Sequence, residues 1–148
     1  MRRFQFRLDK ILSLREHAER ECEIALGRAT GRCLSIRNDI KARENAARNA
    51  FLDRRSGAPD LAFQGYTAAY IRRLQREVET LTRQLETAEK QKEEARAAYV
   101  ETASRRKALS KLKEKREAVY YREQSRIEGR ILDEMGTNAV YRTGSTQG

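Results

Sequence analysis

The sequence has a single proline, no tryptophan, one histidine and two cysteines, and none of its apolar runs approaches the ~20 residues needed to span a membrane. Each scarcity excludes something. His17 stands alone, and neither Cys22 nor Cys33 belongs to a Cys-x-x-Cys pair, so no set of three or four metal ligands can be assembled. The two cysteines fall on one predicted helix, about 16 Å apart at the helical rise, too far for a disulfide. Both are expected as reduced thiols, and His17 as a solvated helix residue. A nucleophile elbow, a glycine-rich phosphate loop and a catalytic triad are all missing. Glutamates are plentiful, but pairs such as Glu86 with Lys90 and Glu89 with Arg96 sit at helix-surface spacings, and a general acid needs a concave site to shift its pKa. Neither an enzyme nor a cofactor nor a metal is expected. Met1, Arg2, Arg3 and Phe4 lead into an amphipathic helix and not into a signal-peptide apolar region, so the expected location is the cytosol.

Charge is what the chain has in abundance. Of its 148 residues 36% are charged and only 39% hydrophobic, too few for an ordinary shared core. Abundant Ala, Glu, Lys, Leu and Arg with few turn-formers is the composition of long helices, whose apolar content lies in narrow stripes. A net charge of +10 with low hydropathy is also a disorder signature, and periodicity decides between the two.

From Leu8 the positions Leu8, Ile11, Ala18, Cys22, Ala25 and Ala29 follow the alternating three-and-four spacing of a coiled-coil seam, interrupted at Arg15. Continuing through Cys33, Ile36, Ile40 and Ala47 requires a stutter after Ala29. Gly27 and Gly31 lie on one side of this helix and predict a close helix approach. The one convincing break is the segment 54–60, where Gly57 is suited to a left-handed helix end and Pro59 cannot continue the ladder. Asp60 or Thr67 is the expected cap of the next helix. That helix carries the cleaner seam, with Leu74, Val78, Leu81, Leu85, Ala88, Lys92, Ala95, Tyr99, Thr102, Arg106 and Leu109 keeping the alternation without a slip. The phase then jumps to Leu112, Val119, Ile127, Ile131 and Met135, and Gly136 opens a polar tail.

The expected fold is therefore all-α: an antiparallel two-helix coiled coil with a longer C-terminal helix, forming one domain over residues 1–135. Helix 1 is expected at about 4–53, the turn at about 54–60, helix 2 at about 61–135, and a flexible tail at 136–148. Pairing outward from the turn brings Leu8 beside residues 107–109, so everything after about Leu112 is expected to overhang.

Charge is unevenly placed along helix 2. Residues 105–122 hold Arg105, Arg106, Lys107, Lys111, Lys113, Lys115, Arg116 and Arg122 against Glu114 and Glu117, a net +6, whereas residues 77–104 net −3. Arg2, Arg3 and Arg7 add to the same end in the hairpin arrangement. A basic end favours an acidic partner, whether nucleic acid, anionic lipid or an acidic protein surface, charge alone not choosing among them, and an uncovered apolar strip there ordinarily awaits a partner.

Phe4, Phe6, Leu8, Leu12 and Arg15, together with the run LSKLKEKREAVYYREQSR at 109–126 and Leu132, Asp133 and Glu134 after it, resemble the FliJ family of flagellar export proteins. The resemblance implies a stalk similar to the gamma subunit of rotary ATPases, an antiparallel coiled coil whose ends enter the pore of a hexameric ATPase. It implies the export ATPase FliI, the gate protein FlhA and the chaperones of late export substrates as partners, and the cytoplasmic face of the flagellar basal body, peripheral to the inner membrane, as the location. The family's C-terminal motif maps onto Leu109, Leu112, Lys115, Arg116, Tyr120, Leu132, Asp133 and Glu134. With the basic and aromatic residues of the same end, Arg2, Arg3, Phe4, Phe6, Arg7, Arg105, Lys111 and Tyr121, these form the candidate ring-binding set. No family motif is found around 47–70, so gate-contact residues do not carry over. A monomer is expected, with no specific nucleic acid bound. Two other readings of the same residues are a basic coiled-coil nucleic-acid binder, whose basic segment would however follow an antiparallel seam where zipper-type readers place it before a parallel one, and a parallel homodimeric scaffold pairing helix 2 with its twin.

Overall fold

A computed structural model describes residues 2–57 and 60–145. The fold is all-α, two long helices packed against each other: α1 spans Asp9–Ser56 and α2 spans Leu61–Gly144. Ala58 and Pro59, on which the expected helix break rested in part, lie outside the described residues, as do Met1 and residues 146–148. Asp60 caps α2 as expected, its carboxylate accepting the Ala62 N–H at 3.0 Å. At the end of α1 the expectation for Gly57 is corrected. No described glycine has a positive φ. Gly57 instead brings its N–H to the Asp53 carbonyl at 3.1 Å, and an added Cβ would meet that oxygen at 3.3 Å, so the residue is small for reasons of space.

The helices divide into two compact units, one of Ala18–Thr102 and one of Met1–His17 with Ala103–Gly148. In the unit of Ala18–Thr102 the pairing is antiparallel. Arg37 bonds to Glu89, and six residues later along α1 Arg43 donates to Glu77, earlier along α2, at 3.3 Å. The apolar centre is Cys33, Ile36 and Ala88, flanked by Ile40, Leu81 and Leu85. Cys33 is 1% exposed, which fits its role as a small buried hydrophobe.

Every one of the eleven seam positions expected on α2 between Leu74 and Leu109 is buried or half-buried. On α1 the seam differs from expectation. Leu12 is 6% exposed and Ile11 44%. Ala25 is likewise exposed and Leu26 half-buried. With Arg15, Glu19 and Arg43 admitted as half-buried members, the seam runs Leu8, Leu12, Arg15, Glu19, Cys22, Leu26, Ala29, Cys33, Ile36, Ile40, Arg43, Ala47 and Ala50 in unbroken alternation, and the expected stutter disappears. Long polar stems cover the seam where small apolar residues cannot. A phase shift does occur in α2, where both Thr102 and Ala103 turn inward and the seam continues through Arg106, Ser110, Lys113, Glu117, Tyr120 and Gln124.

The close approach expected at Gly27 and Gly31 is not present, because both are exposed and a Cβ at either would meet nothing within 4 Å. Each glycine then only lowers helix propensity, by about 1 kcal/mol relative to alanine. The double substitution Gly27→Ala, Gly31→Ala should raise the melting temperature by roughly 4–8 °C, taking ~2–4 °C per kcal/mol for a chain of this size. Thermal unfolding followed at 222 nm checks it, and a fall would show that the glycine face meets something in the folded chain.

Candidate binding site at the chain termini

In the second unit the N-terminal residues lie along α2. Helix 1 starts at Asp9 and not near Phe4 as expected, because residues 2–6 are held in a non-helical path by their contacts. Phe6 is buried. The Arg116 guanidinium sits 5.9 Å from the Phe6 ring centroid, at the edge of cation–π range. The Tyr120 hydroxyl donates to the Arg2 carbonyl at 2.9 Å, and the Phe4 and Tyr120 rings are 5.6 Å apart. Tyr121 packs edge-on against Tyr120 at 5.5 Å. The Phe6 carbonyl accepts the Asp9 N–H at 3.1 Å and so closes the turn into α1.

Asp9 and Lys113 tie the helices together, the ammonium donating to the carboxylate at 2.8 Å. That hydrogen bond raises the Lys113 pKa above the ordinary lysine value; burial opposes it, and the charges of Asp9, Glu117 and Glu16 add to it. Asp9 is well exposed and Lys113 partly so, and the contact therefore fixes register more than it stabilises. Neither residue belonged to the candidate set. The signal available in the sequence was an acidic residue in the first turn of α1, where the helix dipole favours it.

These contacts correct the expected start of the overhang. The basic segment after Leu112 is not without a partner in the chain: its inner face, with Lys113, Glu117 and Tyr120, is met by residues 2–9. The uncovered part begins near Arg126. From Arg130 onward every described residue is exposed, including Ile131, Leu132, Met135, Val140 and Tyr141. It is nonetheless helical, since α2 runs through Gly136 to Gly144 where a tail was expected from 136. Gly136 has no positive φ, so the ladder passes through it, at a propensity cost of about 1 kcal/mol.

The candidate residues therefore fall into two groups. Phe4, Phe6, Leu109, Leu112 and Tyr120 are buried or half-buried and hold the unit together. Arg2, Arg3, Arg7, Arg105, Lys111, Lys115, Arg116, Tyr121, Leu132, Asp133 and Glu134 are exposed and available at its surface, although Arg105 also interacts within the chain. An open cleft beside the N-terminal segment is lined by Arg3, Arg7, Lys10 and Lys113 against Asp9 and Glu117, with Phe4, Phe6 and Tyr121 as apolar walls. Among the described residues no cluster could hold a metal ion, and no helix is long and apolar enough to cross a membrane.

Two paired helices with a basic terminal unit and an exposed helical extension define a helical-hairpin coiled-coil protein. The family model of the flagellar FliJ protein matches residues 4–145, and the chain belongs to this family, a component of the flagellar export apparatus. Comparison with the curated proteins and with solved structures returned no match.

Proposed function

We propose that the chain is a non-enzymatic stalk that enters the pore of the hexameric export ATPase FliI by its terminal unit, promotes assembly or activity of the ring, and links it to the gate protein FlhA and to late-substrate chaperones at the cytoplasmic face of the basal body. The observation that carries this reading is the continuation of α2 beyond its cover. Ile127, Ile131 and Tyr141 keep the phase of the seam, yet no α1 residue lies opposite them, and the exposed side of the segment before them carries Lys111, Lys115 and Arg122. A basic helix partly enclosed by an acidic wall gains attraction that an open surface would lose to screening. Six similar subunits around one asymmetric helix pair favour many weak contacts over one tight set.

Reversing Lys111, Lys115 and Arg122 together to glutamate should weaken co-purification with the export ATPase by tenfold or more and abolish stimulation of ATP hydrolysis, while helicity stays unchanged. None of the three holds the N-terminal segment, so the unit stays folded. Undiminished stimulation would remove the electrostatic part of this reading.

A further inference from the structure

The unit of Ala18–Thr102 ends in an exposed apolar and basic surface that the ring-binding reading does not use. On α1 the positions Arg48, Phe51, Leu52 and Arg55 share one helical face, and all four are exposed. On α2 the positions Phe63, Tyr66, Tyr70 and Arg73 do the same, with the Arg73 guanidinium 5.4 Å from the Tyr70 ring centroid. Leu61 is 84% and Tyr66 79% exposed, values that large side chains seldom keep on a surface facing only water. Between residues 48 and 76 there are six arginines, Arg48, Arg54, Arg55, Arg72, Arg73 and Arg76, against two acids, Asp53 and Asp60, the second occupied as the α2 cap. Arg48, Arg54, Arg55 and Arg72 make no ion pair among the described residues.

We propose that this turn end docks on an anionic lipid surface, with Phe51, Leu61, Phe63 and Tyr66 at the boundary between headgroups and acyl chains and the arginines on lipid phosphates. Two features favour lipid over an acidic protein. The apolar side chains and arginines are mixed on both helix ends, Phe51 and Leu52 beside Arg48 and Arg55, and Phe63, Tyr66 and Tyr70 beside Arg73, so rings and guanidinium groups meet one surface together, as the boundary of headgroups and acyl chains requires. The side chains are also those the bilayer interface selects: tyrosine with a wet hydroxyl and a greasy ring, and guanidinium groups whose fork matches phosphate oxygens. Membrane binding of this kind rests on buried apolar area plus attraction to anionic lipids, and both are available here.

The absence of tryptophan makes the test direct. The full chain carrying Tyr66→Trp is mixed with vesicles of phosphatidylcholine alone or with a third of phosphatidylglycerol, and a second chain carrying Val140→Trp reports on the C-terminal helix. The Tyr66→Trp emission should shift to the blue and be quenched by brominated acyl chains only in the anionic vesicles, while Val140→Trp stays unquenched. Each basic residue near such a surface is worth about fivefold in affinity, so reversing Arg54, Arg55 and Arg72 to glutamate should lower partitioning at least a hundredfold. Circular dichroism establishes that the reversed chain is folded; the glutamine versions, expected to lose tenfold or more, replace it if it is not. An unshifted Tyr66→Trp, equal binding to neutral vesicles, or quenching confined to Val140→Trp would each overturn the proposal. The measurement needs no ATPase, so its failure leaves the ring-binding reading untouched.

Discussion

Glutamate in place of Ala88 should unfold much of the helix pair at pH 8 and far less of it near pH 4. Ala88 is 2% exposed and packs on Cys33 and Ile36, with Ile40, Leu81 and Leu85 around them and no cation in the cluster. A carboxylate placed there loses its hydration and gains no partner, and an uncompensated buried charge costs about 3–5 kcal/mol. Few residues share that loss, since among the described residues the buried apolar set is only Phe6, Leu12, Cys33, Ile36, Leu74, Ala88 and Ala103. The sign of the pH dependence follows from the charged form being the costly one. Burial raises the folded-state pKa of the new glutamate above its unfolded value of about 4.3, so the ionisation penalty is absent below that value and grows as pH rises through and beyond it. Urea unfolding at the two pH values, each referred to the parent chain, should show the midpoint falling by about 2 M at pH 8, taking a slope near 2 kcal/mol per M. Ala88→Leu separates charge from volume. It overpacks the same place at a cost of about 1–3 kcal/mol that does not depend on pH. Equal behaviour of the two variants at both pH values would mean that position 88 is wet.

Helix 2 was legible because its seam is chemically one-sided. From Leu74 to Leu109 every large apolar residue except Val100 occurs where the alternation wants it, so counting finds the face. Helix 1 offers neighbours of equal claim, Ile11 beside Leu12 and Ala25 beside Leu26, and it places Arg15, Glu19 and Arg43 on the seam itself. A reading that follows apolar residues steps to the wrong neighbour and then invents a stutter to recover. The heptad was intact, with charged stems filling the gaps. Gly27 and Gly31 misled for a related reason: spacing shows that two residues share a face, but not whether that face is turned to the partner helix.

The N-terminal segment was not legible at all. Residues 4–8 are locally compatible with helix, and what draws them out of it is a set of contacts with residues more than a hundred positions away, above all the Tyr120 hydroxyl on the Arg2 carbonyl and the burial of Phe6. No local pattern encodes such a contact. Its consequence for the candidate site is specific, because the aromatic residues singled out as ring-facing are largely consumed in building the unit, and the exposed surface is left to the charged residues and to the helix beyond Arg126. The turn end of the other unit carries no family motif; its signal is compositional, six arginines among aromatic and aliphatic residues with two acids.

Removing residues 126–148 should leave the stability of the chain nearly unchanged and eliminate its binding to the export ATPase. The first half follows from packing. Every described residue from Arg130 onward is exposed, so the deleted segment buries almost nothing against α1 and its helicity depends on extension from the preceding turns, at one hydrogen bond per residue. The melting temperature should therefore move by no more than a degree or two while the helical signal falls in proportion to the residues lost. The second half rests on the ring-binding reading. Ile127, Ile131 and Met135 lie on one face of the extension, and burying a side chain of this size in a partner is worth about 1.5–3 kcal/mol. Two such side chains, at 1.4 kcal/mol per tenfold, already amount to a loss of affinity of more than a hundredfold. Ile131→Ala alone should weaken co-purification measurably, and Ile131→Asp should approach the effect of the deletion, because it places a charge where the partner wall is apolar or acidic. If the shortened chain still stimulates the ATPase fully, the contact lies instead on residues 2–10 and 105–122, and the extension serves another partner.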